Sequence, residues 1–198
     1  MLPDNVIIRP ILPGDAELLL RLRLEALQDS PEAYGEDYAY VASQPYSTWT
    51  DLVAHSLGDG DRVIFVAEIQ GTLIGMAGVN RSPMKNTRHA ASVWGVYVQP
   101  GWRAKGLATE LVQACIDWGK GKGLATLRLG VITANPAAIH CYEKCGFRRC
   151  GVDPNAFYVN NRFYDLMRMT LHIRGLNVPV SGTPLFYYAW YEFGIMVV

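Results

Sequence analysis

The chain alternates between runs with an apolar residue at every second position and runs with apolar residues three and four apart, and this alternation divides it into elements. Residues 5–10, NVIIRP, predict a short first strand. PGDAELLLRLRLEALQDSP follows with leucines in a wide stripe, Asp15 as candidate N-cap and Pro31 as a stop, so a helix is predicted between them. Residues 32–46, rich in tyrosine, fit neither period and are expected to be irregular, and a second short helix is predicted over 47–57. The clearest hairpin is DRVIFVAEIQGTLIGMAGVNR, two apolar, β-branched runs joined across Gln70 and Gly71. A further strand is predicted over about 89–99, then a helix over about 105–119 whose Leu107, Leu111, Cys115 and Trp118 share one face. TLRLGVI predicts another strand and PAAIHCYEKC a helix opening at Pro136; GFRRCG turns into a last hairpin ending near Ile173. The order, mostly β and then β, α, β, α, β, β, predicts an α/β fold: a mixed sheet with helices packed on it.

Composition narrows the function classes. At 198 residues with half of them hydrophobic, the chain supports one domain with a sizeable core. Lysine plus arginine equals aspartate plus glutamate at 18 each, and no basic stripe is visible, so neither nucleic acid nor an anionic membrane is an expected partner. Any anion must be met locally. The start, MLPDNVIIRP, lacks the basic and apolar segments of a signal peptide, and a cytoplasmic protein is expected. Cys115, Cys141, Cys145 and Cys150 are then expected to be free thiols; with His140 they match no common zinc spacing, so no metal is expected.

The stretch QPGWRAKGLA, residues 99–108, joins a predicted strand to a predicted helix. Such a turn presents unpaired N–H groups and the positive end of a helix dipole, which favours a phosphate. Gly101 and Gly106 have the Walker gap, but Leu107 and Ala108 replace its lysine and hydroxyl. A Rossmann glycine set fits neither the spacing nor the position, and Gly119, Gly121 and Gly123 are better taken as the end of a helix. What remains is ArgXXGlyXAla, formed by Arg103, Gly106 and Ala108. Alone, it fits a phosphate-binding turn and a plain surface turn about equally.

A second constellation, NPAAIHCYEKCGF at 135–147, places Asn135 at a strand end, Tyr142 two turns along a helix, and Gly146 and Phe147 at its exit. Taken with VYVQPGWRAKGLATELVQACIDWG, it resembles the GNAT superfamily of acetyl-CoA-dependent N-acetyltransferases, over roughly residues 6–173. SPEAYGEDY and FYDLMRMTLHI resemble the early helical loop and final strand of one bacterial subgroup.

The resemblance implies a mostly antiparallel, twisted sheet of roughly six or seven strands with about four helices, and a splayed strand pair that holds acetyl-CoA. Residues 1–175 would form this domain, and 176–198 an apolar extension packed on it or at a subunit interface, the ground for expecting a homodimer. By the same resemblance, pyrophosphate would rest on the backbone of Arg103, Ala104, Lys105, Gly106, Leu107, Ala108 and Thr109. The pantetheine arm would pair near Val96 and Val98, and Asn135 would hold that arm or the strand end. A strand amide at or beside Val96 would face the acetyl oxygen, and Tyr142 would donate a hydrogen bond or a proton to the departing thiolate.

The implied reaction is direct attack of a primary amine, on a small molecule or a peptide, in a ternary complex. Many relatives carry a glutamate on the fourth strand as base, yet HAASVWGVYV has no carboxylate. Glu36 and His89 are the candidates in its place, with Glu68 a weaker third; each also fits an ordinary surface residue. Tyr34, Tyr38, Tyr40 and Trp49 are expected to line the acceptor pocket. Two other readings fit: a module that senses acetyl-CoA without turning it over, and an α/β protein whose turn holds ATP.

Overall fold

A computed structural model describes residue 3, residues 5–57 and residues 60–173. The apolar extension at 176–198, and the homodimer contact expected of it, lie outside the described residues. Among the described residues the order is β1 (Val6–Pro10), α1 (Ala16–Asp29), α2 (Tyr38–Ser43), α3 (Tyr46–Ala54), β2 (Arg62–Ile69), β3 (Thr72–Arg81), β4 (Ala90–Val98), α4 (Leu107–Gly121), β5 (Thr126–Ile132), α5 (Pro136–Lys144), β6 (Arg148–Val159) and β7 (Arg162–His172).

The strands form one seven-stranded sheet in the order β1-β2-β3-β4-β5-β7-β6. Every neighbouring pair is antiparallel except β4 and β5, which run parallel because α4 carries the chain back between them. The β2–β3 turn is tight: Gln70 (φ 48°) and Gly71 (φ 78°) are both left-handed, as a two-residue hairpin turn that follows strand twist requires.

Each face of the sheet has its own core. Ile74, Ala77 and Val79 of β3 join α4 (Leu107, Leu111, Cys115) and α5 (Ile139, Tyr142). Leu73 and Met76 of the same strand join α1 (Leu19, Leu22, Ala26) and α3 (Trp49, Leu52, Val53) on the other side. Burial of this kind stabilises by about 25 cal/mol for each Å² of apolar surface removed from water.

Three local expectations change. Residues 32–46 are not wholly irregular, because Asp37 accepts a hydrogen bond from the Tyr40 N–H (2.8 Å) and caps α2; six residues are too few to show a helical period. Asp15 stands at the N-cap position of α1, but its carboxylate makes no cap bond. It accepts instead from the Leu12 N–H (2.7 Å) and from Arg9 (2.6 Å), and Arg9 also holds Glu68 of β2 at 2.5 Å. Gly119 and Gly121 lie inside the last turn of α4, and Gly123 (φ 67°) makes the reversal after it.

Burial alone would raise the pKa of the Asp15 carboxyl, but the Arg9 ion pair and the Leu12 N–H outweigh it and hold it below the ordinary value. A carboxyl lowered in the folded state contributes stability above its unfolded pKa and loses it as pH falls through the folded one. Asp15→Asn is therefore expected to cost about 2 kcal/mol at pH 7, the scale of hydrogen bonds to a charged group, with the gap to wild type closing below about pH 3 in urea unfolding.

Candidate active site

Strand β4 changes partners along its length. Its ladder with β5 lasts three residues, Ala90 with Thr126, Ala91 with Leu127 and Ser92 with Arg128, after which the two strands part. Opposite β3, Trp94 pairs with Gly78 and Tyr97 with Met76, so Ala77 alone faces both Gly95 and Val96. This is a β-bulge, and Gly95 adopts φ 62° within it. Beyond the bulge, Gln99 donates its N–H to Ile74 of β3 (2.9 Å). By strand alternation, Val98 and Val96 then turn their backbone groups to the open side. There the Val98 carbonyl accepts Arg103 Nε (2.9 Å), and the Val96 carbonyl accepts a long bond from the Tyr34 hydroxyl (3.5 Å).

The turn after β4 begins with a 3-10 segment at Pro100–Trp102 and passes through two left-handed residues, Ala104 (φ 60°) and Gly106 (φ 84°), into α4. A Cβ built at Gly106 meets no atom within 4 Å, so this side of the turn is open to a ligand. The first intrahelical bond runs from Glu110 N–H to the Gly106 carbonyl (3.1 Å), so the amides of 107–109 precede the helical ladder. Arg103 is already engaged: its guanidinium pairs with Asp29 at the end of α1 and lies 5.6 Å above the Tyr97 ring. Lys105 bonds the Gly101 carbonyl (2.9 Å) and lies over Trp102. These two cations hold the turn in shape.

The second motif meets the first. Asn135 Oδ1 accepts from the Ala138 N–H (2.9 Å) and caps α5. Tyr142 is buried in that helix, its ring edge-on to Phe147. Burial first, then the neighbouring Cys141, pushes its pKa well above the ordinary phenol range, so it stays a neutral donor. Cys141 Sγ lies 3.6 Å from the Thr109 hydroxyl, and Cys145 reaches the Thr109 carbonyl, joining α5 to the start of α4. The Cys141 thiol is lowered by the Cys145 hydrogen bond, against burial and with help from Thr109.

On the opposite face, the bulge lies under α1, α3 and the segment before α2. Arg23 is 5% exposed, pairs with Glu36 at 2.9 Å, and stacks 4.3 Å from the Tyr34 ring centre. Burial raises the Tyr34 pKa to about 12. Beside them a cavity of about 10 Å³ is lined by residues that include Arg23, Trp49, Gly78, Trp94 and Gly95.

The predicted residues therefore divide. Tyr34, Trp49 and Glu36 gather on the α1 and α3 side of the bulge, whereas Val96, Val98, the 103–109 turn, Asn135 and Tyr142 belong to β4 and to the two helix entrances beside it. Tyr38 and Tyr40 sit exposed on α2. His89 is exposed at the start of β4, with its carbonyl bound to Ala125 N–H (2.8 Å), seven residues before Val96. That is about 23 Å along a strand, which keeps it from the bulge. Glu68 is bound by Arg9 and by the Gly71 N–H (3.1 Å) on β2. Three residues escaped the sequence reading: Arg23, Trp94 and Gly95. Their signals were an arginine inside the leucine stripe LLLRLRLEAL and a glycine inside the strand AASVWGVYV.

Residues 22–147 match the model of the acetyltransferase (GNAT) family, and the chain belongs to that family. It is 28% identical over 136 residues to spermidine N(1)-acetyltransferase of Vibrio cholerae, covering 66% of this chain and 77% of that one. It is 31% identical over 155 residues to mycothiol acetyltransferase of Thermobispora bispora, covering 77% of this chain and 50% of the relative, so it spans about half that protein. Among solved structures, an N-acetyltransferase from Staphylococcus aureus Mu50 superposes with TM-score 0.76 at 25% identity over 86% of this chain and all of that one. The Salmonella typhimurium yncA structure, solved with acetyl-CoA, superposes with TM-score 0.77 at 21% identity over 89% and 98%. The fold is the GNAT fold, the protein is an acetyl-CoA-dependent N-acetyltransferase, and catalysis is favoured over cofactor sensing.

Two glycines support the bulge for different reasons, and their variants separate them. Gly95→Ala meets no neighbour within 4 Å and bears only left-handed backbone strain, an expected loss of about 1–2 kcal/mol. Gly78→Ala places a Cβ 2.2 Å from the Trp94 indole, which must leave its seat. Urea unfolding is expected to show the larger loss for Gly78→Ala, with a tryptophan emission change that Gly95→Ala lacks.

Proposed function

We propose that the protein, in the cytoplasm, acetylates a primary amine of a small molecule or a peptide by direct attack in a ternary complex at the β4 bulge. The observation that carries this assignment is the parting of β4 from β5 beside a glycine turn that opens α4. Acetyl-CoA supplies an activated thioester carbonyl and a thiolate leaving group.

The chain's own residues divide the work. Amides of the 103–109 turn bind the pyrophosphate, and Gly106 lets it approach the backbone because no Cβ stands in the way. The outward backbone of Val96 and Val98 takes the pantetheine arm as an added strand. An amide at or beside Val96 faces the acetyl oxygen, where one such donor is worth about 3 kcal/mol in other enzymes. Asn135 fixes the entrance of α5, and Tyr142 on that helix is turned to the sulfur. A neutral phenol, with a reference pKa of about 10 against about 8.5 for a thiol, stabilises the thiolate by hydrogen bonding more readily than by giving up its proton. Arg103 acts by position, tying the turn to the Val98 carbonyl and to Asp29.

Of the three acids and bases weighed for proton removal, Glu36 alone stands at the acceptor side. Its Oε2 is held by Arg23, which fixes the carboxylate over the bulge and leaves the second oxygen to take the amine proton directly or through water.

Coenzyme A and acetyl-CoA are expected to raise Tm, ATP with magnesium to leave it unchanged, and the double variant Arg103→Ala/Gly106→Val to lose the response. No shift with either coenzyme A species would overturn the site. Tyr142→Phe is expected to lower kcat about 10- to 100-fold at little change in KM for acetyl-CoA, the scale of one hydrogen bond to a charged atom. An unchanged kcat would remove Tyr142 from the mechanism.

A further inference from the structure

The cysteines at 115, 141, 145 and 150 fall into three environments. Cys115 is sealed inside α4, and burial pushes its thiol well above the ordinary range. Cys150 is exposed on β6, where its Sγ donates to the Arg148 carbonyl (3.5 Å). Cys141 and Cys145 are half-buried one helical turn apart on α5, with Cys145 at its C-cap. Both turn to one residue of the facing helix: Cys141 Sγ lies 3.6 Å from the Thr109 hydroxyl, and Cys145 Sγ 4.0 Å from the Thr109 carbonyl. Thr109 closes the run of amides, 107–109, that precedes the helical ladder of α4.

Two thiols in contact are not equivalent. The hydrogen bond between them lowers the Cys141 thiol, and against burial the Thr109 hydroxyl, Lys144 and His140 add to that lowering. The same bond raises Cys145, and burial and Glu110 raise it further. The negative charge therefore settles on Cys141 while its neighbour keeps a proton. Because the thiolate is the nucleophile in thiol chemistry, Cys141 is the sulfur that reacts first and Cys145 the partner within reach. Side chains four apart on a helix have Cβ atoms about 5–6 Å apart, whereas a disulfide needs about 3.5–4.5 Å, so a bridge must tighten the last turn of α5. That turn is free to tighten, since it ends at Cys145 and passes at once into the left-handed Gly146 (φ 92°). A bridge also turns both sulfurs away from Thr109, which loosens α5 from the amide run.

We infer that Cys141 and Cys145 form a peroxide-sensitive dithiol, and that its closure into a disulfide weakens acetyl-CoA binding at the neighbouring turn; the effect on the cofactor rests on the transferase assignment. The oxidant is a hydroperoxide. The Cys141 thiolate attacks one peroxide oxygen, so that an S–O bond forms, the O–O bond breaks, and the hydroxide released takes a proton to become water. Cys145 then attacks the sulfenic sulfur: the S–S bond forms, the S–O bond breaks, and the hydroxyl leaves as a second water with the Cys145 proton. Two electrons pass from the sulfurs to the peroxide, and two thiols of a reductant return them. In a reducing compartment such a bridge is transient, as a sensing disulfide must be.

The test treats the full chain with hydrogen peroxide, blocks the remaining thiols and digests with trypsin. Cleavage after Lys144 separates the two cysteines, so their bridge is read by mass as peptide 129–144 linked to 145–148, distinct from any link to Cys150 in 150–162. The linked pair is expected in wild type and absent from Cys141→Ser and Cys145→Ser, and in Cys145→Ser dimedone is expected to trap the sulfenic acid at Cys141. Oxidised wild type is expected to lose most of the Tm shift that coenzyme A gives and to show a severalfold higher KM for acetyl-CoA. Dithiothreitol is expected to restore both, and Cys141→Ser to keep its Tm shift after peroxide. Absence of the linked peptide would overturn the inference, as would a coenzyme A shift that the bridge leaves intact. Because the bridge is read by mass, the two assignments fail separately. A linked peptide in a protein whose reduced form never responds to coenzyme A would sink the transferase assignment and keep the dithiol, whereas a coenzyme A response without the linked peptide would sink the dithiol alone.

Discussion

Strand β4 cannot pair fully with both neighbours, and the architecture of the site depends on how it fails. It stays with β3 throughout but at the cost of a bulge at Gly95 and Val96, and it leaves β5 after Ser92. A strand freed on one side in a sheet interior has polar backbone groups that must find partners. Two of these carbonyls are met by side chains from other elements, Arg103 at Val98 and Tyr34 at Val96. The remaining edge is a strand-shaped opening framed by the turn into α4 on one side and α5 on the other.

Helix α1 keeps this opening in register. Glu25 accepts from the Tyr97 hydroxyl (3.2 Å) and from Gln99 Nε2 (2.7 Å), which pins the far end of β4. Asp29, one turn further, holds Arg103 and with it the glycine turn. Arg23, on the buried face, reaches the bulge from the other direction through Tyr34 and Glu36. One helix thus touches the far end of β4, the turn into α4 and the residues over the bulge, so a shift of α1 would move all three together.

The order of elements was legible because each long segment keeps one period and its ends carry the turn residues that its backbone demands, as at Gln70–Gly71 and at Asn135–Pro136. The turn into α4 was legible for a related reason: a left-handed residue just before a helix start favours glycine, and Gly106 shows this in one dimension. The acceptor side was not. Arg23, Glu36, Trp49 and Trp94 come from four separate segments, and each taken alone looks like a helix face, a loop acid or core packing. Strand α-carbons say nothing of a bulge either; Gly95 reads as one weak position in a strand until its partner on β3 is known. His89 looked useful by type and proximity in sequence, yet strand geometry puts it at the closed end of the pair.

The two sides of the bulge also differ in how their charges are arranged, and this bears on the chemistry. At the turn into α4 the cations are tied down by Asp29 and by carbonyls, so on the proposed pathway affinity for a phosphate would fall to backbone N–H groups. On the acceptor side a guanidinium and a carboxylate are buried together, an arrangement that stabilises little by itself because desolvation offsets the attraction. On the proposed pathway such a pair serves as a fixed dipole more than as a strut, holding the Glu36 carboxylate in place for the incoming amine. On that pathway acetylation removes the amine's positive charge, and the product would no longer complement Glu36. A site organised in this way weakens its hold on the product by the same step that forms it, with no conformational change required.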